Sequence, residues 1–278
     1  MKIGIIGRGF VGGSIEKLLV DKSEHHVEAF DVNDGELNEG YERVVKDADL
    51  LYVAVPTPMD DDGKCYTGIL EESLRLVDDI ADCGQIVMIK STMVPGTSER
   101  LKSNYKNIVI VTNPEFLTER NAYEDLCRAK QHVLGGVPEE SKEMIRNYHE
   151  SLWGDCKCIF VSNTEAELIK YLINTYLSVK VSFANHIYQL ANSLGVDYST
   201  FIESAIESDS RIETTHWQVP GPDGRLGFGG KCFPKDLNGM ISLFNEHGLE
   251  CPLLKAAWDY NLLVRNDKDW ERIYGATL

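Results

Sequence analysis

Lys2-Ile3-Gly4-Ile5-Ile6-Gly7-Arg8-Gly9-Phe10-Val11-Gly12 opens the chain as a short apolar run that breaks into glycines and then into a helical pattern, Val11 to Val20. A strand that feeds a G-x-G-x-x-G turn and then a helix is the layout of a dinucleotide-binding crossover. In that layout Gly7 permits the tight turn, Gly9 lets backbone approach a pyrophosphate, and Gly12 lets helix and strand pack closely. Asp31 ends the next apolar run, where the acceptor for a ribose 2′-hydroxyl belongs. A carboxylate there repels a 2′-phosphate, so NAD is favoured over NADP; FAD shares the motif, but no second flavin signal is present.

The same rhythm continues outward from this stretch. Apolar runs recur at Val27 to Phe30, Leu50 to Val55, Gln85 to Ile89, Ile108 to Val111, His132 to Leu134 and Cys158 to Val161, with helical patterns such as Glu71 to Ala81 between them. Unbroken Val/Ile/Leu runs suit parallel strands covered on both faces, and the spacers are long enough for right-handed crossovers. The expected fold is therefore α/β, an N-terminal Rossmann-type doubly wound sheet over residues 1–162.

After Val161 the pattern changes. Thr164 to Ser193 holds helical spacing without Pro or Gly, for about 45 Å at 1.5 Å per residue. Asn163 or Thr164 is the expected N-cap, with acidic Glu165 and Glu167 suited to the first turn and Gly195 to the stop. A helix over Tyr198 to Ser208, a Gly- and Pro-rich segment from Asp209 to Gly230, and helices at Pro234 to His247 and Pro252 to Val264 follow. Residues 163–278 thus read as an all-helical domain with one long helix.

Composition narrows the function classes. The 278 residues are 43% hydrophobic and 26% charged, which suits a folded globular protein, and no run approaches the length of a membrane span. Seven scattered cysteines suit a reducing compartment better than a disulfide framework, and Cys156 and Cys158 read as structural, with no metal site. The expectation is a cytoplasmic protein that binds neither membrane nor nucleic acid, because a net charge of −16 repels polyanions. An anionic ligand needs a local reversal of that charge. From Arg211 to Lys235, Arg211, Arg225, Lys231 and Lys235 stand against Glu213 and Asp223, a net +2.

Further blocks single out one family. They are Val55-Pro56-Thr57-Pro58 with Asp62-Gly63, Lys90-Ser91-Thr92 with Pro95-Gly96-Thr97, and Asn113-Pro114-Glu115-Phe116-Leu117 with Glu119. Glu167 to Tyr176 follows, and then Gly227-Phe228-Gly229-Gly230-Lys231-Cys232-Phe233-Pro234-Lys235-Asp236. With the Gly7 fingerprint, in this order, they resemble the UDP-glucose/GDP-mannose dehydrogenase family. The resemblance implies NAD-dependent oxidation of the C6 alcohol of a nucleotide sugar to a carboxylate in two hydride transfers, UDP-glucose to UDP-glucuronate in the simplest case.

Oxidising an alcohol to an acid needs a covalent handle on the aldehyde, which could otherwise diffuse away before the second hydride leaves. A thiolate supplies one, and Cys232, between a Gly-rich turn and a helix start, has a setting that lowers a thiol pKa. By resemblance Cys232 forms the thiohemiacetal and thioester, Lys170 and Asn174 donate to the developing oxyanion from one helix face, and Asp236 assists the first proton movement. Glu119 serves thioester hydrolysis, Glu115 orients the lysine or a water, and Thr92 approaches the nicotinamide or a catalytic water. Phe10, Val11, Pro56, Thr57 and Lys235 join Gly7, Gly9, Gly12, Asp31 and Thr92 around the cofactor. Phe116, Leu117, Arg211, Phe228 and Gly229 join Glu115, Lys170 and Asn174 around the substrate, and the long helix forms a homodimer interface.

The sequence also departs from the family pattern. Full-length members carry a third α/β domain that grips the nucleotide, whereas this chain ends at Leu278; Arg120 replaces a common Gly, and His216-Trp217 stands where a Tyr is usual. Two other functions fit the residues: a single-step β-hydroxyacid or sugar-acid dehydrogenase, which needs the lysine but no thiol, and a non-catalytic NAD-binding subunit that relies on a partner chain for nucleotide binding.

Overall fold

The computed structural model describes residues 1–35 and 39–278, and these divide into two compact units: residues 1–57 with 66–170, and residues 58–65 with 171–278. The first unit contains β1 (Lys2–Ile6), α1 (Phe10–Lys22), β2 (His26–Phe30), α2 (Glu39–Lys46), β3 (Leu50–Val53), α3 (Gly68–Asp78), β4 (Gln85–Ile89) and α4 (Thr97–Lys102). It continues with β5 (Ile108–Thr112), α5 (Ala122–Arg128), β6 (Gln131–Gly135), α6 (Lys142–Trp153), β7 (Lys157–Val161) and the start of α7 (Asn163–Ser193). The sheet order is β2-β1-β3-β4-β5-β6-β7, which is the doubly wound α/β arrangement.

Successive strand side chains point to opposite faces, and both faces are covered. Leu50, Tyr52, Ile86 and Met88 join one core with α1 and α6 residues such as Leu18 and Ile145. Leu51, Val53, Val87 and Ile89 join the other with Val44, Leu70 and Leu74 from α2 and α3. Burial on both sides is why these strands read as continuous apolar runs rather than alternating ones.

One pairing departs from the all-parallel expectation. β6 runs antiparallel to β5, with Thr112 opposite Gly135, and β7 then pairs parallel to β6. Residues 113–119 follow directly from the carboxyl end of β5, the edge at which open α/β sheets place ligands.

The second unit holds the remainder of α7, then α8 (Tyr198–Ser208), α9 (Cys232–Glu246) and α10 (Pro252–Val264). Ala184 and Ala191 of α7 pack with Tyr198 and Ile202 of α8 and with Val219. The segment 58–65 is tied in by Met59, whose N–H donates to Ala276 O at 2.8 Å and whose carbonyl accepts from Leu278 N at 3.0 Å. Trp270, Ala276 and Met59 form a small core under that tie. No helix among the described residues is long and apolar enough to cross a membrane.

Two helix starts differ from the sequence expectation. Asn163 and Thr164 lie inside α7, and the N-terminal capping box is made one residue earlier: Glu165 N–H donates to Ser162 Oγ at 3.2 Å, and Ser162 N–H donates to Glu165 Oε2 at 2.8 Å. Asn163 is drawn elsewhere, because its Oδ1 accepts from both Thr112 N–H (3.0 Å) and Thr112 Oγ1 (2.8 Å) at the end of β5. α9 begins at Cys232 rather than Pro234, since a Pro is tolerated within the first turn, where its missing N–H has no intrahelical acceptor.

Candidate active site: two groups of residues

The glycine turn follows directly from β1. Gly7 has φ +90°, which favours glycine, and a Cβ at Gly12 would run into the Gly7 carbonyl, so both positions need glycine for the turn and for helix packing. Gly9 is different: a Cβ there would meet no atom within 4 Å, so the space above it is open. As N-cap of α1, Gly9 contributes no side-chain cap to the first-turn N–H groups of Phe10, Val11 and Gly12. An uncapped helix start beside open space suits a pyrophosphate.

Asp31, at the end of β2, accepts from Arg8 N–H at 2.7 Å and from Asn33 N–H at 3.0 Å. Burial opposes its charge, but these N–H donors hold the carboxyl below its ordinary value. Asn33 Nδ2 also donates to Asp31 Oδ1 at 2.7 Å, and since an ionised carboxylate has about four acceptor positions, capacity remains for a ribose hydroxyl. Beyond β3, Pro56 is exposed and Thr57 buried, and Ser91 Oγ after β4 donates to Val55 O at 2.7 Å, so the segments carrying Thr57 and Thr92 are joined at their roots. Thr92 is half-buried. These residues fit NAD.

Also in the first unit, Lys170 on α7 is buried and donates from Nζ to Glu115 Oε1 at 2.9 Å and to Glu115 O at 2.5 Å. Glu115 Oε2 accepts from Leu117 N–H at 2.7 Å, which fixes the turn that presents Phe116, and Lys170 Nζ lies 5.6 Å from the Phe116 ring centroid. A buried ion pair with both carboxylate oxygens engaged is rigid; removing either partner leaves an uncompensated charge. Glu119, in the helical turn Glu119–Asn121, is exposed and outside this cluster.

The second group lies in the other unit. Asp236 on α9 is fully buried, and its two oxygens take the Asn174 amide from α7 (Nδ2 to Oδ2, 2.5 Å) and the buried Lys235 ammonium (Nζ to Oδ1, 2.5 Å). Burial opposes the Lys235 charge, but Asp236 and the Cys65 and Cys232 sulfurs raise its pKa above the ordinary value. Cys232 is the first residue of α9, one turn before Asp236, and half-buried. The glycine-rich loop before it is held by α10 and by the turn after it: Asn261 Oδ1 of α10 accepts from Phe228 N–H at 2.7 Å, Asn261 Nδ2 donates to Phe228 O at 3.0 Å, and Gly230 N–H donates to Asp269 Oδ2, beyond α10, at 3.2 Å. Phe228 is buried and Gly229 half-buried.

The local positive patch expected between Arg211 and Lys235 does not form. Arg211, exposed, is paired with Asp209 at 2.5 Å; Arg225 meets Asp267, and Lys235 meets Asp236. Three of the four cations are therefore met by acidic partners outside the segment, Asp209 and Asp236 next to it in sequence and Asp267 well beyond it. Among the described residues no group of three or more His, Cys, Asp or Glu is arranged to hold a metal. Burial raises the pKa of Cys156, and it pushes that of Cys158 up to about 11, in keeping with unreactive structural thiols.

Several polar residues hold the site by bonds that the sequence does not reveal, and Glu167, expected in the first turn of the long helix, is one of them. Glu167 accepts from Gly96 N–H (2.6 Å) and Ser98 N–H (2.8 Å), anchoring α7 to the start of α4. Lys90 at the end of β4 is buried and donates to Asn113 Oδ1 at 3.1 Å, while Asn113 Nδ2 donates to Val133 O at 2.8 Å. A lysine closing an apolar strand was the available signal for that network.

The chain is similar to known proteins over most of its length. Residues 35–153 match the NAD binding domain of the UDP-glucose/GDP-mannose dehydrogenase family, and residues 164–262 match its central domain. The chain is 29% identical to UDP-glucose 6-dehydrogenase AglM of Haloferax volcanii, over 94% of this chain and 69% of that one. It is 30% identical to UDP-glucose 6-dehydrogenase of Rickettsia conorii, over 78% of this chain but 49% of that protein. A UDP-glucose dehydrogenase structure from Pyrobaculum islandicum superposes with TM-score 0.81 at 28% identity, covering 94% of this chain and 68% of that one. The chain thus spans from 49% to 69% of the length of these relatives, and it belongs to the UDP-glucose/GDP-mannose dehydrogenase family through its NAD-binding and central domains.

Proposed function

We propose that the chain oxidises the C6 alcohol of a nucleotide sugar, with UDP-glucose as first candidate, to the carboxylate through a thioester on Cys232. The observation that carries this reading is the placement of Cys232 one turn before Asp236, whose buried carboxylate is gripped by Asn174 and Lys235. A single-step hydroxyacid dehydrogenase has no use for that cysteine. NAD, held at the Gly7–Gly12 turn and Asp31, supplies the hydride acceptor in each oxidation.

In the first oxidation the alcohol loses a hydride and a proton. Asp236, oriented by two donors, takes the proton through a water, and the Lys170 ammonium donates to the oxygen as charge develops on it. The Cys232 thiolate adds to the aldehyde carbon, and the oxygen takes a proton, giving a thiohemiacetal. Loss of a second hydride and that proton leaves the thioester, and water, activated by Glu119, releases the carboxylate and regenerates the thiol. Glu115 holds Lys170 in place, Thr92 contacts the nicotinamide end, and Phe116, Leu117, Phe228 and Gly229 line the sugar, with Arg211 meeting its phosphate. The protein works as a homodimer through α7, in the cytoplasm.

The test is a panel of UDP-, GDP- and TDP-sugars with NAD, run on the wild type and on Cys232→Ser. The reading expects oxidation of one nucleotide sugar by the wild type, and a Cys232→Ser protein that binds NAD but forms no carboxylate. Undiminished carboxylate formation by Cys232→Ser would falsify it.

A further inference from the structure

The buried polar network at the carboxyl ends of β4 and β5 has an unbalanced charge. Lys90 and Lys170 are both buried, and the carboxylate that faces them is Glu115. Lys170 takes the direct contacts with that carboxylate, at 2.5 Å to its backbone oxygen and 2.9 Å to Oε1. The Lys90 ammonium carries three donors, yet among the described residues it makes one hydrogen bond, to Asn113 Oδ1 at 3.1 Å. Asn113 is fixed in that role, because its Nδ2 donates to Val133 O and so turns Oδ1 toward Lys90. A buried cation with most of its donors unmatched is costly unless a negative charge arrives to meet it.

The groups facing Lys90 from the surrounding elements are few. Glu115 follows β5, Lys170 comes from α7, His132 from β6 and His149 from α6. Burial pushes the two imidazoles down to about 3 and about 4, so both are neutral near pH 7 and contribute no charge there. What remains is two ammonium groups against one carboxylate.

We propose that Lys90 is a positioning residue for this half of the site: its proton gives the Lys90–Glu115–Lys170 set a net positive charge, which holds Lys170 toward the substrate oxygen and favours the negative charge that oxygen acquires during hydride loss. This rests on the dehydrogenase reading above, and extends it to a residue with no substrate contact assigned. Burial, opposed by Glu115 and reinforced by Lys170, brings Lys90 down to about 8. Loss of its proton above that pH makes the set neutral and removes the advantage.

The experiment has two arms, both on the full chain. The first follows kcat and KM against pH for the wild type and Lys90→Gln, in which the neutral amide can still donate to Asn113. The wild type is expected to lose kcat above a midpoint near pH 8. Lys90→Gln at pH 7 is expected to show kcat lower by about tenfold, below the 10²–10³-fold cost of removing a direct oxyanion donor, with an unchanged KM for NAD and without that limb. The second arm needs no turnover: the ¹³Cε signals of labelled lysines are titrated by NMR in the wild type, Glu115→Gln and Lys170→Met, with Lys90→Gln supplying the assignment. The Lys90 midpoint should lie near 8, fall in Glu115→Gln and rise in Lys170→Met. A wild type that turns over no nucleotide sugar overturns the functional reading while the NMR arm still decides the coupling. A Lys90 midpoint above 10 that neither substitution moves, or superimposable pH profiles for wild type and Lys90→Gln, overturns the proposal.

Discussion

At the residue scale, the chemistry turns on two buried carboxylates, Glu115 and Asp236. Each has both oxygens occupied by donors: Lys170 and Leu117 N–H in one case, Lys235 and Asn174 in the other. An unmatched buried charge costs more than its hydrogen bond contributes, so removing a donor is felt in stability as well as in chemistry. Asn174→Leu should therefore lower the unfolding free energy by about 1–3 kcal/mol, read as a shift of the urea midpoint, while Asn174→Ser loses less because a hydroxyl and a water can still reach Asp236. Equal losses for the two variants would point to helix packing rather than to the carboxylate. Residue identities in this region were legible in the sequence as motif blocks. Their bonding was not: the blocks do not reveal that Glu115 uses its own backbone carbonyl for Lys170, or that Lys90 competes for the same charge.

At the element scale, β6 and α6 carry a chemical signature of their own. His132 and His149 stack with Trp153 at centroid distances of 4.3 and 5.5 Å, and His132 Nε2 is buried with no hydrogen-bond partner. Burial depresses both histidines, to about 3 and about 4. In the unfolded chain each titrates near 6.5, so the unfolded state binds more protons between that pH and the folded values. Their stabilising contribution is whole above pH 6.5 and is lost as pH falls toward 3. His132→Phe should flatten this decline, measured as melting temperature from pH 7 to 4; a slope equal to that of the wild type would contradict the assignment. The strands and long helices were readable because burial on both faces and helical spacing are local patterns. The antiparallel turn of β6 was not, since it rests on one long-range pairing, Thr112 with Gly135, and neither was the Ser162–Glu165 box, because Asn163 satisfies every local rule for a cap but is captured by Thr112.

At the scale of the whole molecule, α7 leaves an apolar stripe exposed. Leu172, Tyr176, Phe183 and Leu190 are each more than half exposed, at spacings of four and seven residues that align them along one side of the helix. A second copy of the chain would cover that stripe helix against helix. Sedimentation should therefore give twice the 31.2 kDa chain mass, and Phe183→Asp with Leu190→Glu, both at exposed positions, should give a folded monomer. A wild type that sediments as a monomer at micromolar concentration contradicts this interface. Two oxidations on one substrate through Cys232 are read from the amount of NADH formed per nucleotide sugar consumed. Two NADH are expected for each UDP-glucose converted; a ratio of one, with aldehyde or ketone as the end product, rules out the route through a thioester.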